Sequence, residues 1–220
     1  MTLPDWLEGV LPDDTAAAWV AVRDLLPGPA YLAGGTAIAV HLRHRQSRDL
    51  DFFLETPVDL VGLHDELAKT GELHVTAFEE TAGRQTMEAY LGGAKLQILE
   101  ASSVPLVEPT ASVAGVRVAG VGDLLAMKLK VVRDRGELRD YYDLLVIERD
   151  GRRRAEEGIA LALRKYRPRA AGAFAESVVR GLSYLDDVED DPAVPLSRAE
   201  VAAYWRSRVP EIARSLSHLG

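Results

Sequence analysis

The decisive stretch is Gly34–Leu54, GGTAIAVHLRHRQSRDLDFFL. Two glycines open a segment whose apolar residues recur at helical spacing. A basic, polar connection follows, and then Asp49 and Asp51 alternate with Leu50 and Phe52 before Phe53 and Leu54 continue the run. This pattern predicts a strand over 49–54, and residues two apart on a strand face the same side. Both carboxylates therefore project together from a strand anchored by apolar neighbours. Two like charges side by side repel, and burying them without a partner is costly. A hard divalent cation answers both problems, because Mg²⁺ takes oxygen ligands and is held by one or two carboxylates plus substrate phosphates. Two such ions about 3.5–4 Å apart clamp the attacking and leaving oxygens of a phosphoryl displacement. The glycines suit the same chemistry. Gly34-Gly35-Thr36 joins a short apolar run, Tyr31-Leu32-Ala33, to a helix start. N–H groups and the helix dipole there attract anions, and glycine lets the backbone approach a phosphate closely. Thr36 is placed to cap the helix or to bond a phosphate oxygen.

On either side of this stretch the period of the apolar residues sorts the chain. Residues 14–26 read as a helix with Asp13 or Asp14 at its N-cap, closed by Pro27-Gly28-Pro29. A helix over 57–69 follows the acidic strand. Period-two patterning then predicts strands at 73–80, 84–91 and 94–101, with Gly92-Gly93 as a hairpin turn, and one more short strand at 113–120. From Val121 onward the pattern is almost wholly helical, and Ser197-x-x-Glu200 is a capping box opening the last helix. The fold class is α+β: a small mixed sheet with flanking helices over 1–120, then a helical region over 121–220.

Composition sets the outer limits. The chain has 220 residues, no cysteine and a formal net charge of −8. Cysteine chemistry, disulfides and zinc–cysteine centres are excluded. A general non-specific nucleic-acid binder would be basic overall, so the acidic total argues against one while allowing local basic patches. Three occur, at 41–48, 149–154 and 164–169. No window approaches ~18 uninterrupted apolar residues, so no transmembrane helix and no membrane partner are expected. The acidic opening MTLPDWLEGVLPDD lacks a basic n-region, which predicts no signal peptide and a cytoplasmic location.

Gly34-Gly35-Thr36-Ala37, followed by Arg45, Ser47, Asp49, Leu50, Asp51 and Phe52, resembles the polymerase β-like nucleotidyltransferase superfamily, and within it the AbiEii/AbiGii-type toxins of type IV toxin–antitoxin and abortive-infection systems. A second block, DLLAMKLKVVRDRGELRDYYDLL, is similar to that family's downstream motif, with Lys128 at the lysine position and Asp140 and Asp143 at the two aspartates. Arg139 stands where the family usually has lysine. The resemblance implies a polymerase β-like palm with a helical domain packed on it that contributes Lys128 and Asp143. It implies a metal-dependent transfer of a nucleoside monophosphate from an NTP. The expected cofactor is Mg²⁺, with Mn²⁺ as its substitute. The acceptor would be RNA, with tRNA 3′ ends foremost, or a protein, and a separately encoded antitoxin would be the partner. Asp49 and Asp51 would bind the metal and, with Lys128 and Asp143, form the catalytic set. Gly34, Gly35, Thr36, Arg45, Ser47 and Asp140 would bind the nucleotide. Enzymes of this superfamily usually carry a third metal-binding carboxylate on a later strand. The candidates are Glu88 and Glu100, with Gln97 as the residue that would stand there if the acid is missing. Two other readings stay open: a catalytically weak nucleotide-binding module acting through a partner, and an aminoglycoside-type enzyme with a small-molecule acceptor.

Overall fold

The computed structural model describes residues 3–81, 84–134, 136–150 and 152–216. Two compact units divide the chain, one holding residues 1–105 and 109–120, the other 106–108 and 121–220.

In the first unit the elements run α1 (Asp5–Glu8), α2 (Asp13–Val22), β1 (Ala30–Ala33), α3 (Gly34–Leu42), β2 (Leu50–Leu54), α4 (Leu60–Ala68), β3 (Leu73–Thr81), β4 (Arg84–Leu91), β5 (Ala94–Glu100), β6 (Ala111–Val113) and β7 (Val116–Val118). The seven strands form one mixed sheet in the order β3-β4-β5-β2-β1-β7-β6. β2 is antiparallel to β1 and parallel to β5. Alternation along β2 does what its sequence predicts: Leu50, Phe52 and Leu54 are fully buried, whereas Asp51 and Phe53 are half-buried. Register carries the buried face across the sheet through Leu96 and Ile98 of β5 to Met87 and Ala89 of β4. β1 has both neighbours and is buried at every residue.

Several local readings are corrected. The expected strand at 113–120 is the hairpin β6–β7, turning on Ala114 (φ 46°) and Gly115 (φ 88°). A two-residue turn of this kind demands positive φ, which alanine adopts reluctantly, so Ala-Gly gives no turn signal. The Trp19 indole N–H donates to the Ala114 carbonyl at 3.4 Å. α2 is preceded by Pro12 as its N-cap with no side-chain cap, and Asp14 takes the N–H of Thr15 instead. α4 begins at Leu60 because Asp59 caps it, accepting the Gly62 N–H at 3.0 Å. The single-turn α1 carries no periodicity to read, and its Trp6 lies under the Arg43 guanidinium at 4.4 Å.

In the second unit lie α5 (Val121–Asp134), α6 (Leu138–Arg149), α7 (Ala155–Tyr166), α8 (Ala171–Ser183) and α9 (Arg198–Ser215). α7 closes on α5 at Gly158, where a Cβ would stand 2.4 Å from Leu125 Cγ and 2.6 Å from Leu129 Cδ1. The Ser197/Glu200 capping box forms as expected and starts α9. Trp205 of α9 is fully buried and donates to the Tyr141 carbonyl at 3.1 Å.

Buried ion pairs tie α5 to α7 and α6 to α9. Asp123 accepts the N–H groups of Val107 (3.0 Å) and Glu108 (2.9 Å) and pairs with Lys165 at 2.6 Å. Arg208 of α9 reaches Glu148 at 2.9 Å and Glu156 at 2.9 Å. Burial pushes the Glu148 carboxyl upward, yet hydrogen bonds from Arg208, Tyr204 and the Ala155 N–H outweigh it and hold it below its ordinary 4.5. A depressed folded-state pKa contributes stability that is complete above the unfolded value and lost as pH falls through the folded one. The denaturation midpoint is therefore expected to be level from neutral pH down to about 5 and to fall below roughly 4.5. In Glu148→Gln that acid-side decline is shallower, as urea titrations across the range would show.

Candidate active site

The site is built at the corner where β1 turns into α3. Gly34 sits there with φ 68°, in the left-handed region that glycine tolerates best. Space requires it as well: a Cβ would lie 2.2 Å from Oδ2 of Asp51. The Asp51 carboxylate thus lies directly against the strand–helix corner, as the register of Ala33 opposite Asp51 demands. At Gly35 a Cβ would lie 2.7 Å from Arg45 Nη2 and 3.4 Å from Ser47 Oγ. The loop after α3 therefore folds back so that a guanidinium and a hydroxyl lie over the helix N-terminus. Hydrogen bonds among the described residues hold that loop. Thr36 Oγ1 pairs with Ser47 Oγ at 2.8 Å and donates to the Asp49 carbonyl. The Ser47 N–H donates to the Val10 carbonyl at 3.1 Å, and Thr15 Oγ1 donates to the Arg48 carbonyl at 3.1 Å.

Gly34, Gly35, Arg45, Ser47, Asp49 and Asp51 are thus gathered on one corner. Thr36, expected at a phosphate, is fully buried with its hydroxyl engaged by Ser47 and Asp49. It ties the acidic strand to the helix start. Asp49 is half-buried and immediately precedes β2. The two-glycine corner makes two outcomes testable. Gly34→Ala places alanine in left-handed backbone, costing roughly 1–2 kcal/mol, and drives the Asp51 carboxylate aside. Gly35→Ala carries no such φ penalty and displaces only the Arg45 guanidinium. Thermal melting should separate the two, with Gly34→Ala the less stable and both impaired in nucleotide binding.

Beyond Asp51 the sheet register extends the polar row. Asp51 is paired with Gln97 on β5, and Gln97 with Glu88 on β4. Gln97 Nε2 donates to Glu88 Oε1 at 2.8 Å. An amide thus stands beside Asp51, and the nearest carboxylate along the row is one strand further on. Glu100 is level with Leu54, and its parity puts it on the opposite face from Asp51. Among the described residues no group of three or more His, Cys, Asp or Glu is disposed to hold a metal ion. The donor set available is the pair Asp49 and Asp51. Two hard oxygen ligands completed by phosphate oxygens is a set that Mg²⁺ accepts.

In the helical unit the second sequence block is also brought together. Lys128 is buried, with Nζ 2.5 Å from Asp140 Oδ1 and 3.2 Å from Asp143 Oδ2. Asp140 is doubly used, since its other oxygen accepts the Glu137 N–H at 2.9 Å in a capping box that starts α6. Asp143 is fully buried. Spacing alone predicted that the two aspartates share a helix face; the lysine between them came from the motif. Arg139 pairs outward with Glu137 at 2.5 Å, and Arg135 lies outside the described residues.

This mixed sheet, with Asp51 of β2 set against a Gly-Gly helix start, is that of a nucleotidyltransferase of polymerase β-like fold. The family described as "Nucleotidyl transferase AbiEii toxin, Type IV TA system" matches residues 18–218. The chain belongs to this family. It is 27% identical over 186 residues to an uncharacterized protein, aq_aa25, of Aquifex aeolicus strain VF5, covering 82% of this chain and 86% of that one. In three dimensions it is similar to JHP933 from Helicobacter pylori, with a TM-score of 0.56 at 20% identity over 98% of this chain and 95% of that one. Similarity of the same degree, a TM-score of 0.56 at 21% identity over 92% and 94% of the two chains, relates it to an H. pylori protein assigned as a nucleotidyltransferase. Likeness at these identities establishes the fold. Among the described residues no helix is long and apolar enough to cross a membrane.

Proposed function

We propose that this nucleotidyltransferase moves a nucleoside monophosphate from an NTP to an RNA acceptor, with tRNA 3′ ends as the leading substrate, and that a separately encoded antitoxin restrains this activity. The observation that carries the reading is the corner itself: Gly34 and Asp51 are so close that only glycine fits between them. That contact puts a carboxylate beside backbone N–H groups suited to phosphate.

Asp49 and Asp51 would hold Mg²⁺. When bound, the ion neutralises charge on the triphosphate oxygens. The chain supplies the rest. N–H groups at Gly34 and Gly35 and the Arg45 guanidinium bind phosphate oxygens, and Ser47 and Thr36 keep the loop in place. An acceptor hydroxyl oxygen bonds to the α-phosphorus, the α–β bridging P–O bond breaks, pyrophosphate leaves with the electron pair and the hydroxyl proton passes to solvent. Positioning and charge stabilisation would supply most of the acceleration. Lys128, held by Asp140 and Asp143, is assigned a role in the same reaction on its chemistry, a buried ammonium that acts as a point charge.

The test is a labelling experiment. Purified protein, Mg²⁺, each α-labelled NTP and total RNA are incubated beside an Asp49→Ala/Asp51→Ala control. Label entering RNA only with the acids intact supports the reading and names the nucleotide. Mg²⁺-dependent NTP binding with no label in RNA replaces it with a binding module. The amide at Gln97, where an acid would strengthen the site, is the observation that gives this second reading its weight.

A further inference from the structure

The two basic stretches of the helical unit differ in how their charge is used. In 149–154 it is consumed locally. Arg149 lies over the Tyr204 ring at 5.2 Å, Arg152 pairs with Asp150 at 2.8 Å, Arg153 reaches Glu108 and Glu157, and Arg154 pairs with Glu211 at 3.1 Å. In 164–169 only Lys165 is so engaged, buried against Asp123. Arg164, Arg167 and Arg169 are exposed.

Neither hydrogen bonds nor ion pairs join these three side chains to any described residue. In a chain with 34 acidic residues against 26 lysines and arginines, carboxylates are plentiful. Three neighbouring arginines without one run against that balance. The ordinary explanation is the negative end of a helix, which attracts cations within its last turn. It accounts for Arg164, inside α7, and for Arg167 at its cap, and leaves Arg169 unexplained. α7 ends at Tyr166, Arg167 takes the left-handed cap position with φ 45°, and Pro168 prevents the helix from continuing. The break thus presents the last two arginines from an irregular loop.

All three are arginine, whose planar fork binds phosphate oxygens in pairs. A bilayer surface would call for apolar side chains to insert beside the charges. None of the large exposed apolar residues falls within 152–183 among the described residues. The chemistry fits a hydrated polyphosphate chain.

We infer that Arg164, Arg167 and Arg169 form a docking site for the sugar–phosphate backbone of the acceptor RNA. The inference rests on the reading of RNA as acceptor. It adds where that RNA is gripped, and it makes the binding salt-dependent through these three residues.

The experiment measures binding of fluorescently labelled unfractionated bacterial tRNA to the full chain without NTP, between about 50 and 200 mM KCl. Wild type is compared with R164Q/R167Q/R169Q and with R152Q, whose arginine is already paired. Each phosphate contact contributes roughly 0.7–0.9 to the log–log salt slope, so the triple variant should lose about 2–3 from it while R152Q keeps it. In the labelling assay the triple variant should show a raised KM for tRNA and an unchanged kcat. Matching melting temperatures exclude a folding defect. If wild type labels RNA and the triple variant keeps the full salt slope, the docking site is wrong and the RNA reading stands. If wild type neither binds nor labels tRNA, both fall. If the triple variant instead loses binding to phosphatidylglycerol vesicles and keeps tRNA binding, the patch is a membrane contact and the inference is overturned.

Discussion

Asp51→Asn is expected to lower nucleotidyl transfer by about 10³-fold or more while leaving the fold intact. The two effects separate because of where Asp51 sits. Its side chain lies against Gly34 in a space with no room for another atom, and asparagine has almost the same shape, so the corner keeps its packing. What changes is charge. The amide cannot serve as an anionic oxygen ligand for Mg²⁺, and the phosphate charge of the nucleotide then has no counter-ion at that position. Because the shape of the corner is kept, the metal-free variant should fold as the wild type does. Adding Mg²⁺ and NTP should raise the melting temperature of the wild type and much less that of the variant, since ligand binding stabilises only a chain that binds. Single-turnover labelling with matched melts checks both halves. Transfer above a tenth of the wild-type rate would remove Asp51 from the metal site.

Lys165→Met should destabilise the helical unit by about 3–5 kcal/mol. The Lys165–Asp123 pair is almost wholly buried, and removing the cation strands a carboxylate where water cannot reach it. Such a loss lowers the midpoint of thermal unfolding by roughly 6–20 °C for a chain of this size. The two N–H bonds that Asp123 also accepts, from Val107 and Glu108, should bring the loss toward the lower end of that range. The exposed Lys69–Glu66 pair supplies the contrast. Breaking it by Lys69→Met should cost under about 1 kcal/mol, because screening and side-chain entropy leave surface pairs little net value. Equal midpoints for the two variants would refute this account.

How far the chain could be read before folding depended on the range of the signal. The corner was legible because its elements are close in sequence: two glycines, a helix, a basic loop and an acidic strand, all within Gly34–Leu54. Local chemistry also placed the Gly92-Gly93 hairpin and the Ser197 cap. The row Asp51–Gln97–Glu88 was not legible. It depends on the parallel pairing of β2 with β5, and a shift of one residue in that pairing would present Leu96 or Ile98 to Asp51 instead. Composition also could not distinguish the arginines of 149–154 from those of 164–169. Their partners Glu108 and Glu211 lie 45 and 57 residues away in the chain. The bonding of Thr36 was hidden for a related reason: a hydroxyl at a helix start looks the same whether it faces a ligand or is turned inward toward Ser47.

The short run 106–108 interrupts the first unit and belongs by its contacts to the second. The polypeptide therefore crosses between units after residues 105, 108 and 120 rather than once. On the ribosome, Val107 and Glu108 emerge well before Asp123 and Lys165, the residues that secure them. The crossover has to wait, unanchored, until α7 has been synthesised. A fragment ending at residue 120 would carry the run without its anchor, and one starting at 121 would contain Asp123 with two of its donors gone. This enzyme cannot be divided by a single cut into pieces that each keep their own bonding, and swapping its helical half between relatives would mean exchanging both stretches together.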